Sequence, residues 1–205
     1  MSLYTYLKRY TRYPQQIQAR PAADTNLIVT IPCFNEPDPF TTLESLWAAE
    51  RPQKPAEVLI IINQSDEHTP EEVKAYHEDL YKKLLEWCRH HHDVRLRFYT
   101  LHFKSIRSKI LGVGTARKLG MDEAAYRFYS LGHEQGIMVN LDADCTVESN
   151  YFKAIEDHFK AKNTQACSIY FEHPLSGDHP EAIYRAIMDF ELYLRYYKNA
   201  FLWTG

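Results

Sequence analysis

Two carboxylates set two residues apart, Asp142 and Asp144, close the stretch Gly136-Ile137-Met138-Val139-Asn140-Leu141-Asp142-Ala143-Asp144-Cys145. In extended chain, residues i and i+2 project to the same side with Cα atoms roughly 6–7 Å apart, so both side chains can face one point. Like charges held together repel unless a cation sits beside them, and hard oxygen ligands suit Mg2+ or Mn2+. The chemistry this points to is a divalent metal carrying a phosphate. A plainer reading makes Asp142 a capping residue and Asp144 a solvated turn residue, because Asp favours turns through local hydrogen bonds.

The elements around the pair favour the first reading. Ile137, Met138, Val139 and Leu141 form an apolar run behind a glycine, as expected at the centre of a covered parallel sheet. The carboxylates then fall at the C-terminal edge of a strand, where open α/β sheets bind ligands. Asn26 to Pro32 reads as the first strand, followed by the polar loop Cys33 to Pro39 and by helical spacing from Phe40 to Glu50. Val58 to Ile62 reads as a second buried strand with the loop Asn63 to Thr69; Thr69 as N-cap and Pro70 at the first position open a long helix to about Arg89. The consecutive His90, His91 and His92 point in different directions on a helix, so they read as its solvated end and not as a metal site.

Val94 to Leu101 alternates polar and apolar residues, as an edge or half-exposed strand does. The basic loop Lys104-Ser105-Ile106-Arg107-Ser108-Lys109 and then Gly112-Val113-Gly114-Thr115 lead into a helix through about Leu131, and a Gly-containing loop at a helix start suits a phosphate. Glu148 to Lys162 reads as a helix, Ala166 to Phe171 as a strand, and Pro180 to about Ala200 as an aromatic-rich helix. This alternation predicts an α/β domain over residues 26–205, with a mainly parallel sheet and helices on both faces. Residues 1–25 form an arm in which Tyr4, Tyr6, Tyr10 and Tyr13 alternate with Lys8, Arg9 and Arg12; amphipathic tyrosines of this kind suit docking on the chain's own domain.

Composition narrows the partners. The chain has 205 residues, long enough for one domain with a sizeable core, and its net charge of −3 gives no attraction for nucleic acid or an anionic membrane. Cys33, Cys88, Cys145 and Cys167 form no C-x-x-C pair and read as reduced thiols of a cytoplasmic protein. No apolar run approaches membrane-spanning length and no export leader is present, so the chain is expected neither to span a membrane nor to be secreted.

Several segments together resemble the family 2 glycosyltransferases of the GT-A fold, a Rossmann-like fold for nucleotide-diphospho-sugar transfer with inversion. Ile31-Pro32-Cys33-Phe34-Asn35-Glu36 is similar to the family's opening strand and its Pro-x-Tyr-Asn-Glu turn. Gly112, Ala116, Arg117 and Gly120 fall at the spacing of its Gly-x-x-x-Ala-Arg-Asn-x-Gly segment, and Leu141-Asp142-Ala143-Asp144 matches its metal-binding Asp-x-Asp. The chain departs from the pattern in having Ile62-Asn63-Gln64-Ser65 for the usual Asp-Asp-Gly-Ser, and Lys118 for the Asn after Arg117.

The resemblance implies a hexosyltransferase-like enzyme that takes a UDP- or GDP-linked sugar donor and passes the sugar to a glycan or lipid-linked acceptor. It implies that Asp144 holds Mg2+ or Mn2+, that Asp142 contacts the ribose or the metal, and that Glu36 and Asn63 meet the nucleoside. Pro32 would floor the site, Asn35 would belong to the same binding turn, and Arg117 would lie near the uracil or diphosphate. The family places its catalytic-base carboxylate, commonly in a Glu-Asp pair, beyond the point corresponding to Gly205; Glu172, Asp178 and Glu181 lack that context. The expectation is therefore the donor-binding part of a larger enzyme, incomplete at its C-terminus and inactive alone, with vector residues in Met1-Ser2-Leu3, acting in the cytoplasm or at the inner membrane face. The alternatives are a non-catalytic nucleotide-sugar-binding or scaffolding module and a nucleotidyltransferase, which the Ala-Arg segment fits poorly. A dinucleotide oxidoreductase fits least, since no Gly-rich turn follows the first strand.

Overall fold

A computed structural model describes residues 2–107, 111–162 and 164–204; Ser108 and Lys109 of the basic loop, like Met1, lie outside the described residues. The chain runs α1 (Leu3–Tyr10), β1 (Leu27–Cys33), α2 (Pro39–Ala48), β2 (Ala56–Asn63), α3 (Glu71–His90), β3 (Leu96–Phe103), α4 (Val113–Ser130), β4 (Ile137–Asn140), α5 (Tyr151–Lys162) and α6 (Glu181–Thr204). Its four strands pair in parallel in the order β3-β2-β1-β4, with Leu27 opposite Ala56 and Ile137, and Val58 opposite Phe98.

Every residue of β1 and β2 is buried, the pattern of a parallel sheet covered on both faces. Alternate side chains go to opposite faces. Leu27, Val29 and Ile31 pack with Val58, Ile60 and Ile62 against Leu43 and Leu46 of α2, Leu80 and Leu84 of α3, and Phe152 and Ile155 of α5. Ile28, Leu59 and Ile61 pack on the other face against Ala116, Leu119 and Phe128 of α4, together with Ile17 of the arm. The predicted α/β architecture with helices on both faces is the one observed.

Four local expectations are corrected. Among the described residues β4 is an outer strand of four residues and not a central one; its Met138 is half-buried and Asn140 is exposed, so only alternate side chains enter the core. Asp142 to Asp144 is not extended: the Cys145 N–H reaches the Asp142 carbonyl at 3.4 Å and the pair lies on a turn. Thr69 does not cap α3, because its Oγ1 accepts the Ser65 N–H at 2.9 Å; the first turn carries Glu71 and Glu72 instead, whose charge suits a helix N-terminus. Residues 166–171 carry no regular secondary structure, and their side chains are exposed. Of the three consecutive histidines, His90 and His92 are exposed as expected, while His91 stacks on the Trp87 ring at 3.8 Å.

The arm docks as expected. Asp122 of α4 accepts hydrogen bonds from the Tyr6 hydroxyl at 2.7 Å, the Arg12 N–H at 3.2 Å and the Lys118 ammonium, and Glu123 accepts the Gln16 and Ile17 N–H groups at 2.8 and 3.0 Å. One turn further on, the fully buried Arg127 pairs with Glu57 of β2, donates to the Ala19 carbonyl at 3.1 Å and lies 4.8 Å from the Tyr99 ring centre.

The chain divides into two compact units, Met1–Asn163 and Thr164–Gly205. The second holds α6, where Glu191 accepts the His173 N–H at 3.1 Å and pairs with its imidazole at 2.6 Å. Among the described residues no helix is long and apolar enough to cross a membrane.

Gly120 sets how closely α4 lies on the sheet. A Cβ there would stand 2.8 Å from Thr30 Cβ and 3.2 Å from Ile61 Cγ1. Thr30 cannot turn away freely, because its Oγ1 donates to Asn140 Oδ1 at 2.8 Å. Overpacking of this kind costs about 1–3 kcal/mol, against about 1 kcal/mol gained in helix propensity. Gly120→Ala is therefore expected to lower the urea midpoint; an unchanged or higher midpoint would mean that α4 lifts from the sheet at no cost.

Beneath the β1–α2 turn, the imidazole of His77 is fully buried, and burial followed by the neighbouring His102 pushes its pKa down to about 4. The unfolded chain takes up that proton near the ordinary value of 6.5, so between about 6.5 and 4 it binds more protons than the folded chain, and stability falls as pH falls through that window. The full effect is on the order of 3 kcal/mol. Burial lowers His102 in the same sense, while Glu36 and Glu123, raised chiefly by burial, act in the opposite one. In urea unfolding at pH 7 and pH 5, His77→Gln is expected to flatten the loss seen in the wild type; an identical slope would remove His77 as its source.

Candidate functional site

A cavity of about 550 Å³ opens at the C-terminal edge of the sheet. β1 and the turn after it supply Pro32, Phe34 and Glu36; β2 ends in Asn63; the start of α4 brings Leu111, Gly112, Val113 and Arg117; the turn after β4 brings Asp142, Ala143 and Asp144. Six of the seven predicted residues thus converge from four separate segments. Asn35 is the exception. It takes a left-handed conformation with φ of 51° and contributes through its backbone N–H, which points to His77 and away from the cavity lining. Asn tolerates that region better than most residues, which accounts for its place in the turn.

Asn63 is fully buried, yet among the described residues neither its Oδ1 nor its Nδ2 has a hydrogen-bond partner. The amide is held by its strand, since β2 is covered on both faces up to its last residue. Across β1, Arg117 donates from Nη2 to Asp142 Oδ1, with both side chains partly open to solvent. Arg117 reaches this position because Gly120, one turn later in α4, allows the helix to lie against Thr30. The α4 N-terminus has Gly112 at its cap position with φ of 148° and, among the described residues, no side-chain cap, and Gly112 and Val113 line the cavity there.

The site is acidic. Burial, the Asp144 charge and then the Asp38 charge raise the Glu36 carboxyl above its ordinary range. Burial followed by Asp144 pushes the Cys145 thiol up to about 11, so it stays protonated at neutral pH. Among the described residues no three His, Cys, Asp or Glu side chains are gathered to hold a metal by themselves. Two carboxylates nonetheless fit a hard cation whose other positions go to water and phosphate oxygens, the usual way Mg2+ is held.

Several lining residues escape a reading of residue types. Phe34 presents an exposed ring beside the cavity and packs edge-on to His77 at 5.3 Å; its signal was its place in the turn similar to Pro-x-Tyr-Asn-Glu. Leu111 lines the cavity through the path of the chain, which pattern alone does not predict, whereas Gly112 and Val113 belong to the loop expected to suit a phosphate. His77 gives no signal in sequence, being one polar residue within a long amphipathic helix.

The profile of a family described as Glycosyl transferase family 2 matches residues 28–204. Among solved structures, the chain is similar to the crystal structure of S. aureus TarS 1-349, at 17% identity over 68% of this chain and 33% of that one, with a TM-score of 0.41. The chain therefore spans about a third of the length of that structure. No curated protein matches. With the profile running from β1 to the end of α6 through all four segments that form the cavity, the chain belongs to glycosyl transferase family 2.

Proposed function

We propose that this domain binds a UDP- or GDP-linked hexose with Mg2+ or Mn2+ and serves its transfer, with inversion, to a hydroxyl of a glycan or lipid-linked acceptor. The observation that carries the reading is the unpartnered amide of Asn63 in the cavity wall. A buried polar group left unpaired costs about 1–3 kcal/mol. A base edge that sets an N–H beside a carbonyl, as uracil and guanine do, satisfies Oδ1 and Nδ2 together. The Phe34 ring supports the same placement by offering a stacking face nearby.

The rest of the cavity suits the diphosphate joined to that nucleoside. Asn63 ends β2 and Asp142 comes after β4, with β1 between them, so two strand spacings separate the ends of the site by about 10 Å. The nucleoside lies at the Asn63 end and the diphosphate at the Asp142 end. There the N-terminus of α4 and the Arg117 guanidinium supply donors for phosphate oxygens. A phosphate competing for Arg117 releases Asp142, which with Asp144 becomes available to the cation. When bound, that cation neutralises charge on the departing diphosphate. The acceptor hydroxyl gives its proton to a general base as its oxygen bonds to the anomeric carbon on one face, while the bond to the diphosphate oxygen breaks on the other, which inverts the centre. The four unpaired thiols support a reducing location, the cytoplasm or its membrane face.

Titration calorimetry tests the donor and the metal together. UDP or GDP is expected to bind with Mn2+ present and to lose most of its affinity under chelation, and Asp144→Ala removes the metal-dependent part. Binding that ignores the metal, or no binding to any nucleotide, would sink this reading. Asn63→Leu is expected to weaken nucleotide binding roughly 10- to 100-fold while leaving the metal dependence intact. Unchanged affinity would place the base elsewhere.

A further inference from the structure

His77 lies on α3, outside the cavity, and is fully buried. Its Nε2 is 3.0 Å from the backbone nitrogen of Asn35, and its Nδ1 is 3.0 Å from Gln64 Oε1. An N–H can only donate, so Nε2 carries no proton; Nδ1 carries it and donates to Gln64. Gln64 directly follows Asn63, and Asn35 stands between Phe34 and Glu36. One imidazole thus bridges the two loops that flank the proposed nucleoside end.

We propose that His77 is a positioning residue for the donor, fixing the separation of the Phe34–Glu36 turn from Asn63 through its bonds to the Asn35 N–H and the Gln64 side chain. The inference rests on the donor reading above. Three further contacts converge on it. The Phe34 ring meets the His77 ring edge-on at 5.3 Å. Tyr76, the residue before it, donates its hydroxyl to the Glu36 carbonyl. His102 of β3 reaches the same Gln64 Oε1 from Nε2 at 3.1 Å, so the oxygen is held from two sides. Asn35, at φ of 51°, sits in a region that non-glycine residues occupy at a cost, and the bond to Nε2 offsets that cost.

The titratable groups facing this imidazole are His102 of β3 and Glu78 and Tyr76 of α3, with Lys104 beyond β3 paired to Glu78. Burial keeps the ring neutral at physiological pH, so the Nε2 acceptor persists across the neutral range. A purely packing role would need the ring but not this tautomer.

Long-range proton–nitrogen NMR on the wild type at pH 7 is expected to show His77 neutral with its proton on Nδ1. A proton on Nε2, or a charged ring, overturns the proposal. Affinity for UDP or GDP with Mn2+ is expected to fall about 10-fold or more in His77→Leu. In His77→Gln, whose Oε1 can replace Nε2 as the acceptor, it is expected to stay within about threefold of the wild type. Gln64→Leu, which removes the other half of the bridge, is expected to resemble His77→Leu and serves if that variant does not fold. Wild-type affinity in both Leu variants overturns the proposal. Wild-type protein that binds neither nucleotide overturns the donor reading instead. The bridge is then judged by hydrogen exchange at the Asn35 amide, which is expected to be protected in the wild type and in His77→Gln and exposed in His77→Leu.

Discussion

The approach of α4 to β1 at Gly120 governs the geometry of the site. Because no Cβ stands between helix and strand, the helix axis lies close over Thr30 and Ile61, and the residue one turn earlier, Arg117, arrives at the C-terminal edge of the sheet beside Asp142. Thr30 completes the contact from below. Its hydroxyl ties β1 to Asn140, two residues before Asp142, so the helix and the acidic turn are referenced to the same point on β1. A strand with a bulkier residue at position 30, or a helix with any side chain at 120, would move Arg117 and Asp142 independently.

Buried charge holds the far end of that helix. Arg127 and Glu57 are both removed from water, and the cost of desolvating such a pair is repaid only when the geometry and additional hydrogen bonds are good. Here the guanidinium also takes the Ala19 carbonyl and lies against Tyr99, so α4, β2, β3 and the arm meet at one side chain. Asp122 and Glu123 continue the pattern by accepting backbone N–H groups from arm residues that have no ladder of their own. Removing one partner from such a cluster leaves a charge without compensation, which is far more damaging than replacing both. The arm is thus an integral part of the face that positions α4, a role its tyrosines alone did not specify.

The strands and most helices were legible because their signals are local: β-branched runs in β1 and β2, apolar spacing in α2, and the Gly-containing loop that opens α4. The carboxylates and Asn63 were legible because each comes directly after such a run and so falls at the ligand edge of the sheet. The features that could not be read depend on contacts between distant residues. The outer position of β4 is set by which strand pairs with β1, and no run of residue types encodes that order. Thr69 looks like a cap until the Ser65 N–H is found to occupy its oxygen. Residues 166–171 have strand-like composition but no neighbouring strand to pair with among the described residues. His77 is the clearest case, since its importance lies in two hydrogen bonds to loops 42 and 13 residues away.

The charge of the cavity bears on how a donor would enter it. Among the described lining residues Asp142, Asp144 and Glu36 face one guanidinium, and burial first, then the Asp144 and Asp38 charges, hold Glu36 above its ordinary range. A diphosphate arriving alone adds negative charge to a site already rich in it. A divalent cation arriving alone must compete with Arg117 for Asp142. On the proposed reading each would remove the other's obstacle: Arg117 would turn to the diphosphate, and Asp142 with Asp144 would be free to hold the cation. On the proposed reading, nucleotide and metal affinities are therefore linked, and linkage between binding equilibria is reciprocal, so the factor by which the cation tightens nucleotide binding equals that by which nucleotide tightens the cation's. The Arg117–Asp142 pair is then the resting arrangement of the site, a charge pair that gives up both members when donor and cation come together.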